Sequence, residues 1–531
     1  MKKNNTTRPI PCATLSLIAL VCVVLVFLPE NSRGQSEPFQ VVETTIEQIH
    51  SAYESGTLTA SELVQLYIDR IVAYDQQGPN INSIIALNPD ALGEAEQLDA
   101  MYESSGPVGP LHGIPVILKD QVDVAGMATT LGSILFEDYY PDRDAFVTER
   151  LKAAGAIILA KSTLGELAGG DTHGSLFGST RNPYALDRTV GGSSGGSGAS
   201  IAANFGTVSV GQESFASIRR PAAWNMVVGM RTSTGLVSRG GVFAGWPEVT
   251  GTLGPMARTV TDLAILLDGM VGYDPEDPLT AYGVGHIPDT FTAFMDRDGL
   301  EGARLGVLRE SIGRDSEPES EDFAKVDVRF NQAIIELEAA GAIVVDPIVI
   351  PNLTELLSRR ASDVAAGHES FQIFFGRSAS APFASVQEMI RSPNFGSITG
   401  YAQGRFLATP DTSQYYDYLI ARSELMVNLL KVMADNSLDA IVYKAVEHQP
   451  TLIEDGINPP FVNTKGVPYL NTFLVSVPAI VVPAGFTDDD LPVGITFMGR
   501  PYDDGTMLKL AYAYEQATHH RKPPGTTPPL P

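Results

Sequence analysis

Hydrophobic and polar positions divide the chain into alternating helix-like and strand-like segments. Leu63, Leu66, Tyr67, Ile71 and Tyr74 recur at helical spacing behind Thr59-Ala60-Ser61-Glu62, where Thr and Glu occupy capping-box positions. Ser83 to Leu87 reads as a short apolar strand, and Pro89 stands where proline opens a helix in its first turn. Gly113-Ile114-Pro115-Val116-Ile117-Leu118-Lys119-Asp120 is an apolar run ending in a lysine, the pattern of a buried strand. Ala156 to Ala160 is a second such run, behind a helix ending at Gly155. Strand, helix and strand recur at Arg304 to Leu308, Lys325 to Ala340 and Ala342 to Ile350. Residues 352–435 read as mostly helical with loops. Pro478 to Phe486 and Leu491 to Gly499 flank a polar Thr-Asp-Asp-Asp turn and predict a hairpin. This alternation predicts an α/β architecture with a mostly parallel sheet. No internal repeat or linker interrupts it, so one domain is expected from about residue 38 to 522, with Pro523 to Pro531 as a surface tail.

The first 34 residues follow another pattern. Lys2, Lys3 and Arg8 precede an uncharged run from Ala13 to Leu28, then small residues at Ser32 and Gly34. This order predicts a secretory signal peptide cleaved near Gly34, and so an extracytoplasmic, periplasmic or secreted protein. The alternative is an uncleaved N-terminal anchor. Both cysteines, Cys12 and Cys22, lie in this leader, so the expected mature chain has no disulfide, thiol nucleophile or cysteine metal site. Apolar residues continue past Cys22, which is not the pattern of a lipid attachment site.

Composition narrows the chemistry further. The 531 residues carry 62 acidic and 36 basic side chains, a net charge of −26, which repels phosphate backbones and sets nucleic acid aside as a partner. The eight histidines form no H-E-x-x-H or other helical ligand pair, so no metal is expected. Gly155 to Ser162 lacks the second glycine of a phosphate-binding loop and reads as a core strand. Gly191-Gly192-Ser193-Ser194-Gly195 matches G-x-S-x-G, but the polar residues before it are not the apolar strand a nucleophile elbow needs. The whole tract GGSSGGSGAS, 191–200, is too short and too well flanked for a linker, and reads as a tight loop holding backbone close to something.

A hydrolase without cysteine or metal still has serine, and a serine hydroxyl needs a base. Lysine serves when burial keeps it neutral, and Lys119 ends an apolar strand. GIPVILKD at 113–120, STRNP at 179–183, GGSSGGSGAS at 191–200 and GQESFASIRRPAA at 211–223 together resemble the amidase-signature family of serine hydrolases. The likeness continues through VVGMRTSTGLVSRGG at 227–241, GPMARTVTDLA at 254–264 and the final hairpin, and is weak between 280 and 440. Ser193 and Ser217 stand 24 positions apart, as the family pattern requires.

The resemblance implies a three-layer α/β/α sandwich around a large mixed sheet, no cofactor, and a small-molecule or peptide amide as substrate. It implies Ser217 as nucleophile, Ser193 as proton relay, Lys119 as base and Ser194 as hydrogen-bonding support. It also implies an oxyanion hole of backbone N–H groups over Ser214, Phe215, Ala216 and Ser217. Phe215-Ala216 departs from the Gly-Gly usual there. The loop Leu167-Ala168-Gly169-Gly170-Asp171 is expected to border the substrate. For Arg219 and Arg220 a structural ion pair is one reading; recognition of a substrate carboxylate or carbonyl by Arg220 is the other. Other readings are one component of a tRNA-charging amidotransferase, an esterase using Ser193 with histidine, an ester or carbamate hydrolase of the same family, and a non-catalytic binding protein on this scaffold.

Overall fold

The computed structural model describes residues 39–243, 251–361, 364–408 and 413–531. The leader, with Cys12, Cys22 and the expected cleavage point at Gly34, lies outside them. Gln40–Pro531 form one compact unit.

Eleven strands build its central sheet: β1 (Ile84–Leu87), β2 (Pro115–Lys119), β3 (Ile157–Ser162), β4 (Val208–Glu213), β5 (Val228–Arg231), β6 (Thr252–Ala257), β7 (Arg304–Leu308), β8 (Ile343–Ile348), β9 (Ala440–Lys444), β10 (Ala479–Phe486) and β11 (Pro492–Met498). Their order is β1-β3-β2-β4-β6-β5-β10-β11-β9-β7-β8. Among the described residues, the pairings β2·β3, β2·β4, β7·β8 and β7·β9 are parallel and the other six are antiparallel. The sheet is mixed, as expected, but its parallel share was overestimated. Helical crossovers such as Glu321–Ala339 between β7 and β8 are visible in the sequence, whereas antiparallel neighbours brought together from distant segments, such as β5 and β10, are not.

Every residue of β2 to β6 and of β11 is buried. Strands buried at every position are covered on both faces, which is the sandwich. The helices Gly195–Ala202 and Arg219–Trp224 pack on each other, on β2 and β4, and on β5, β10 and β11. The capping box on Thr59 forms, with Thr59 Oγ1 accepting from the Glu62 N–H. Pro89 stands one residue before the N-cap Asp90 rather than inside the first turn, so the helix runs Ala91–Ser105. The final hairpin forms as expected between β10 and β11.

The proline-rich end is hydrogen-bonded to the body of the fold. Arg70 donates to the carbonyls of Thr527 and Pro528, each at 2.8 Å, and Thr526 Oγ1 donates to Pro183 O at 2.5 Å. A buried guanidinium needs acceptors, and a proline-rich strand with no ladder of its own offers free carbonyls.

Candidate active site

Lys119 ends β2 with its side chain wholly buried. Its Nζ donates to Ser193 Oγ at 2.7 Å and to Gln212 O at 3.3 Å. Burial drives its pKa well below the ordinary 10.5, against an opposing pull from the Glu213 charge.

Ser193 is held by its glycines. The Gly192–Ser193 peptide is cis and Gly191 has φ +77°. A Cβ on Gly192 would stand 2.4 Å from Gly170 O, one on Gly195 2.1 Å from Thr172 Oγ1, and one on Gly196 2.3 Å from Thr163 O. The tract is therefore a packed turn that leads into the helix Gly195–Ala202. Ser194 ties it to β4 and to the neighbouring loop: its Oγ donates to Gln212 O at 3.1 Å, and its N–H donates to Ser217 O at 3.1 Å.

Ser217 lies in the bend between β4 and the helix Arg219–Trp224. Between positions 190 and 233 only Ser214, Phe215 and Ser217 reach solvent. Among the described residues, no acceptor meets the N–H of Ser214, Phe215, Ala216 or Ser217, and the Ser217 hydroxyl makes no hydrogen bond. The amides expected to form an oxyanion hole thus have no acceptor among the described residues. Neither Phe215 nor Ala216 adopts a positive φ. The backbone there is open to any L residue, which is why the Gly-Gly departure leaves the bend intact.

Glu213 fixes the bend from below. Its Oε2 accepts from the Ile218 and Arg219 N–H groups at 3.0 Å each, and its Oε1 accepts from Arg219 Nε and Nη2 at 2.8 and 2.6 Å. Arg231 Nη1 stands 3.8 Å from the same carboxylate, and Arg219 Nη1 donates to Tyr443 Oη. Burial pushes the Glu213 carboxyl up, but the two arginines outweigh it and hold the pKa below the ordinary value.

Arg220 is a clamp rather than a pocket residue. Its Nη2 donates to Gly170 O at 3.1 Å and Gly192 O at 2.9 Å, pairs with Asp171 at 3.4 Å, and its guanidinium lies over Trp224. It is buried beneath the loop it holds, so the ion-pair reading describes it. Leu167 is likewise removed from the expected pocket, being wholly buried in the cluster of Leu131, Phe136, Phe243, Phe371 and Phe375. Gly169 and Gly170 do border open space: with Thr399, Tyr401 and Phe461 they line a cavity of about 20 Å³. No histidine among the described residues bonds to Ser193 or Ser217, which removes the histidine-dependent esterase geometry. Lys161, at the end of the rejected phosphate loop, pairs with buried Asp120 at 3.1 Å, a core ion pair.

Sequence reasoning missed the far wall. Phe215 stacks on Tyr469 with centroids 6.2 Å apart, and Arg360 lies over both rings.

A buried lysine thus contacts Ser193, and the Ser194 N–H joins that glycine turn to the bend that carries Ser217. The amidase family model matches residues 62–508. A glutamyl-tRNA(Gln) amidotransferase component from Thermosynechococcus vestitus is 32% identical over 501 residues, covering 90% of this chain and 99% of its own. A probable amidase of Arabidopsis thaliana is 32% identical over 92% of this chain and 93% of its own. The crystal structure of the native peptide amidase from Stenotrophomonas maltophilia superposes with a TM-score of 0.79 at 32% identity, over 92% of this chain and 100% of that one. The chain belongs to the amidase-signature family, hydrolases acting on carbon–nitrogen bonds.

Proposed function

We propose that this protein is an amidase that converts a carboxylic amide to a carboxylate and ammonia or an amine through an acyl-enzyme on Ser217. The observation that carries the reading is the 2.7 Å contact of a desolvated lysine with Ser193, beside the solvent-reaching Ser217.

The chemistry follows from the positions. Ser217 Oγ attacks the amide carbon, its proton passes to Ser193, and Ser193 passes its own to neutral Lys119. The new oxyanion takes the unpaired N–H groups of the 214–217 bend. As the intermediate collapses, the proton on Lys119 returns through Ser193 to the departing nitrogen, which otherwise leaves as an unstable amide anion. Water repeats the sequence on the acyl ester. The link from Ser217 to Ser193 closes when substrate fills the site, since catalytic hydrogen bonds tighten in the bound complex.

The same reading puts the enzyme outside the cytosol on the strength of the leader. Hydrolysis of a panel of primary and aryl amides by the chain alone, beside Ser217→Ala and Lys119→Ala, tests the proposal. Turnover lost in both folded variants supports it. An inert wild type favours the non-catalytic scaffold, and activity only with an added partner favours the amidotransferase component.

A further inference from the structure

Arg359 and Arg360 are neighbours in the chain with different surroundings. Arg359 pairs with Asp417 at 2.6 Å and has Glu355 and Glu424 within 3.8 Å. Arg360 has no acidic partner among the described residues, in a chain with 62 acidic and 36 basic side chains. Its guanidinium carbon lies 5.5 Å from the Phe215 ring centre and 5.3 Å from that of Tyr469. Its Nε is buried and meets no acceptor. Aromatic faces hold a guanidinium in position while leaving its in-plane N–H donors unsatisfied. Phe215 stands two residues before Ser217, and both are partly exposed. A second arginine, Arg422, lies over Tyr418 at 5.6 Å, also without an acidic partner among the described residues. Tyr418 Oη in turn bonds Thr472 O, in the same turn as Tyr469.

The Arg360 guanidinium is thus fixed against the Phe215 ring, two residues from Ser217, with no hydrogen-bond acceptor among the described residues. A planar guanidinium matches a carboxylate in a two-point fork. We propose that Arg360 is a specificity-determining residue that binds a free carboxylate carried by the substrate, so that amides such as dicarboxylic acid monoamides are preferred over neutral ones. The chemistry of this inference rests on the amidase reading; its binding step does not.

The test pairs glutarate monoamide with its neutral methyl ester. In a Ser217→Ala background, calorimetry is expected to show tighter binding of the anion, and Arg360→Met to weaken that binding about 10- to 100-fold. Arg360→Lys recovers part of it. In the active enzyme, the ratio of kcat/KM for anionic over neutral amide falls by a similar factor in Arg360→Met. Equal binding of the two ligands, or a ratio that Arg360→Met leaves unchanged, overturns the inference. Selective binding without turnover of any amide overturns the amidase reading and leaves the carboxylate site standing.

Discussion

Lys119 Nζ donates to Ser193 Oγ over 2.7 Å at a place where neither residue reaches water: their exposures are 0% and 1%. A charged ammonium there would lose its hydration with only the Glu213 charge to compensate. Burial therefore favours the neutral amine over the ammonium, and the neutral amine is the form a base requires. The burial that lowers the Lys119 pKa therefore also costs stability.

That cost has a sign. The unfolded chain holds the lysine proton up to the ordinary 10.5, while the folded chain releases it well below. Between those limits the unfolded state binds one more proton, so stability rises with pH across the window. Below the folded pKa the penalty is fully present. Lys119→Met removes the penalty, and denaturant unfolding at neutral pH should show a gain on the order of 1 kcal/mol, with a flatter dependence towards pH 10. A loss of stability in Lys119→Met contradicts the assignment of a neutral amine.

Activity should follow the same proton. kcat/KM is expected to rise along an alkaline limb whose midpoint lies below 10.5. Lys119→Met should lower kcat by about 10²- to 10⁴-fold and abolish the limb. A wild-type rate that falls across this limb while the protein stays folded removes lysine as the base.

The proposed oxyanion hole is testable through Phe215, whose side chain and N–H can be removed separately. Phe215→Ala keeps the N–H and is expected to lower kcat on a small primary amide less than about tenfold, whereas Phe215→Pro removes it and should cost about 10²- to 10³-fold. Matching thermal midpoints confine the comparison to the site. Equal losses in the two variants mean the side chain, not the amide, matters.

Arg220 and Asp171 form a buried pair that also holds the Gly170 and Gly192 carbonyls. Removing Arg220 alone leaves a buried carboxyl unmatched, and Arg220→Met should cost about 3–5 kcal/mol. Burial already pushes the Asp171 carboxyl above the ordinary value, so Asp171→Asn in the same chain should restore part of the loss. Additive costs in the double variant mean the two side chains do not act as a pair.

The sequence made the near half of this site legible because it is local. Lys119 closes an apolar run, the glycine tract carries Ser193, and Ser217 follows β4 within one continuous segment. Burial and close approach leave plain marks in such stretches. The far half is assembled by long-range contacts. Tyr469, Arg360 and Tyr401 arrive from helices and turns between 353 and 473, and no periodicity marks which of two adjacent arginines turns to the surface and which to Phe215. Strand sense was misjudged for a related reason: an all-buried strand looks alike in parallel and antiparallel sheets. Nothing local marks how the proline-rich end is held, because its partner, Arg70, stands more than 450 positions away.

In the proposed reaction Ser217 carries the acyl group. The direct measurement is intact-mass and peptide mapping of the purified protein after reaction with a fluorophosphonate. The account predicts one adduct per chain, located on Ser217, abolished by Ser217→Ala and slowed by Lys119→Met. An adduct on Ser193, or an unlabelled wild type that is folded, contradicts it.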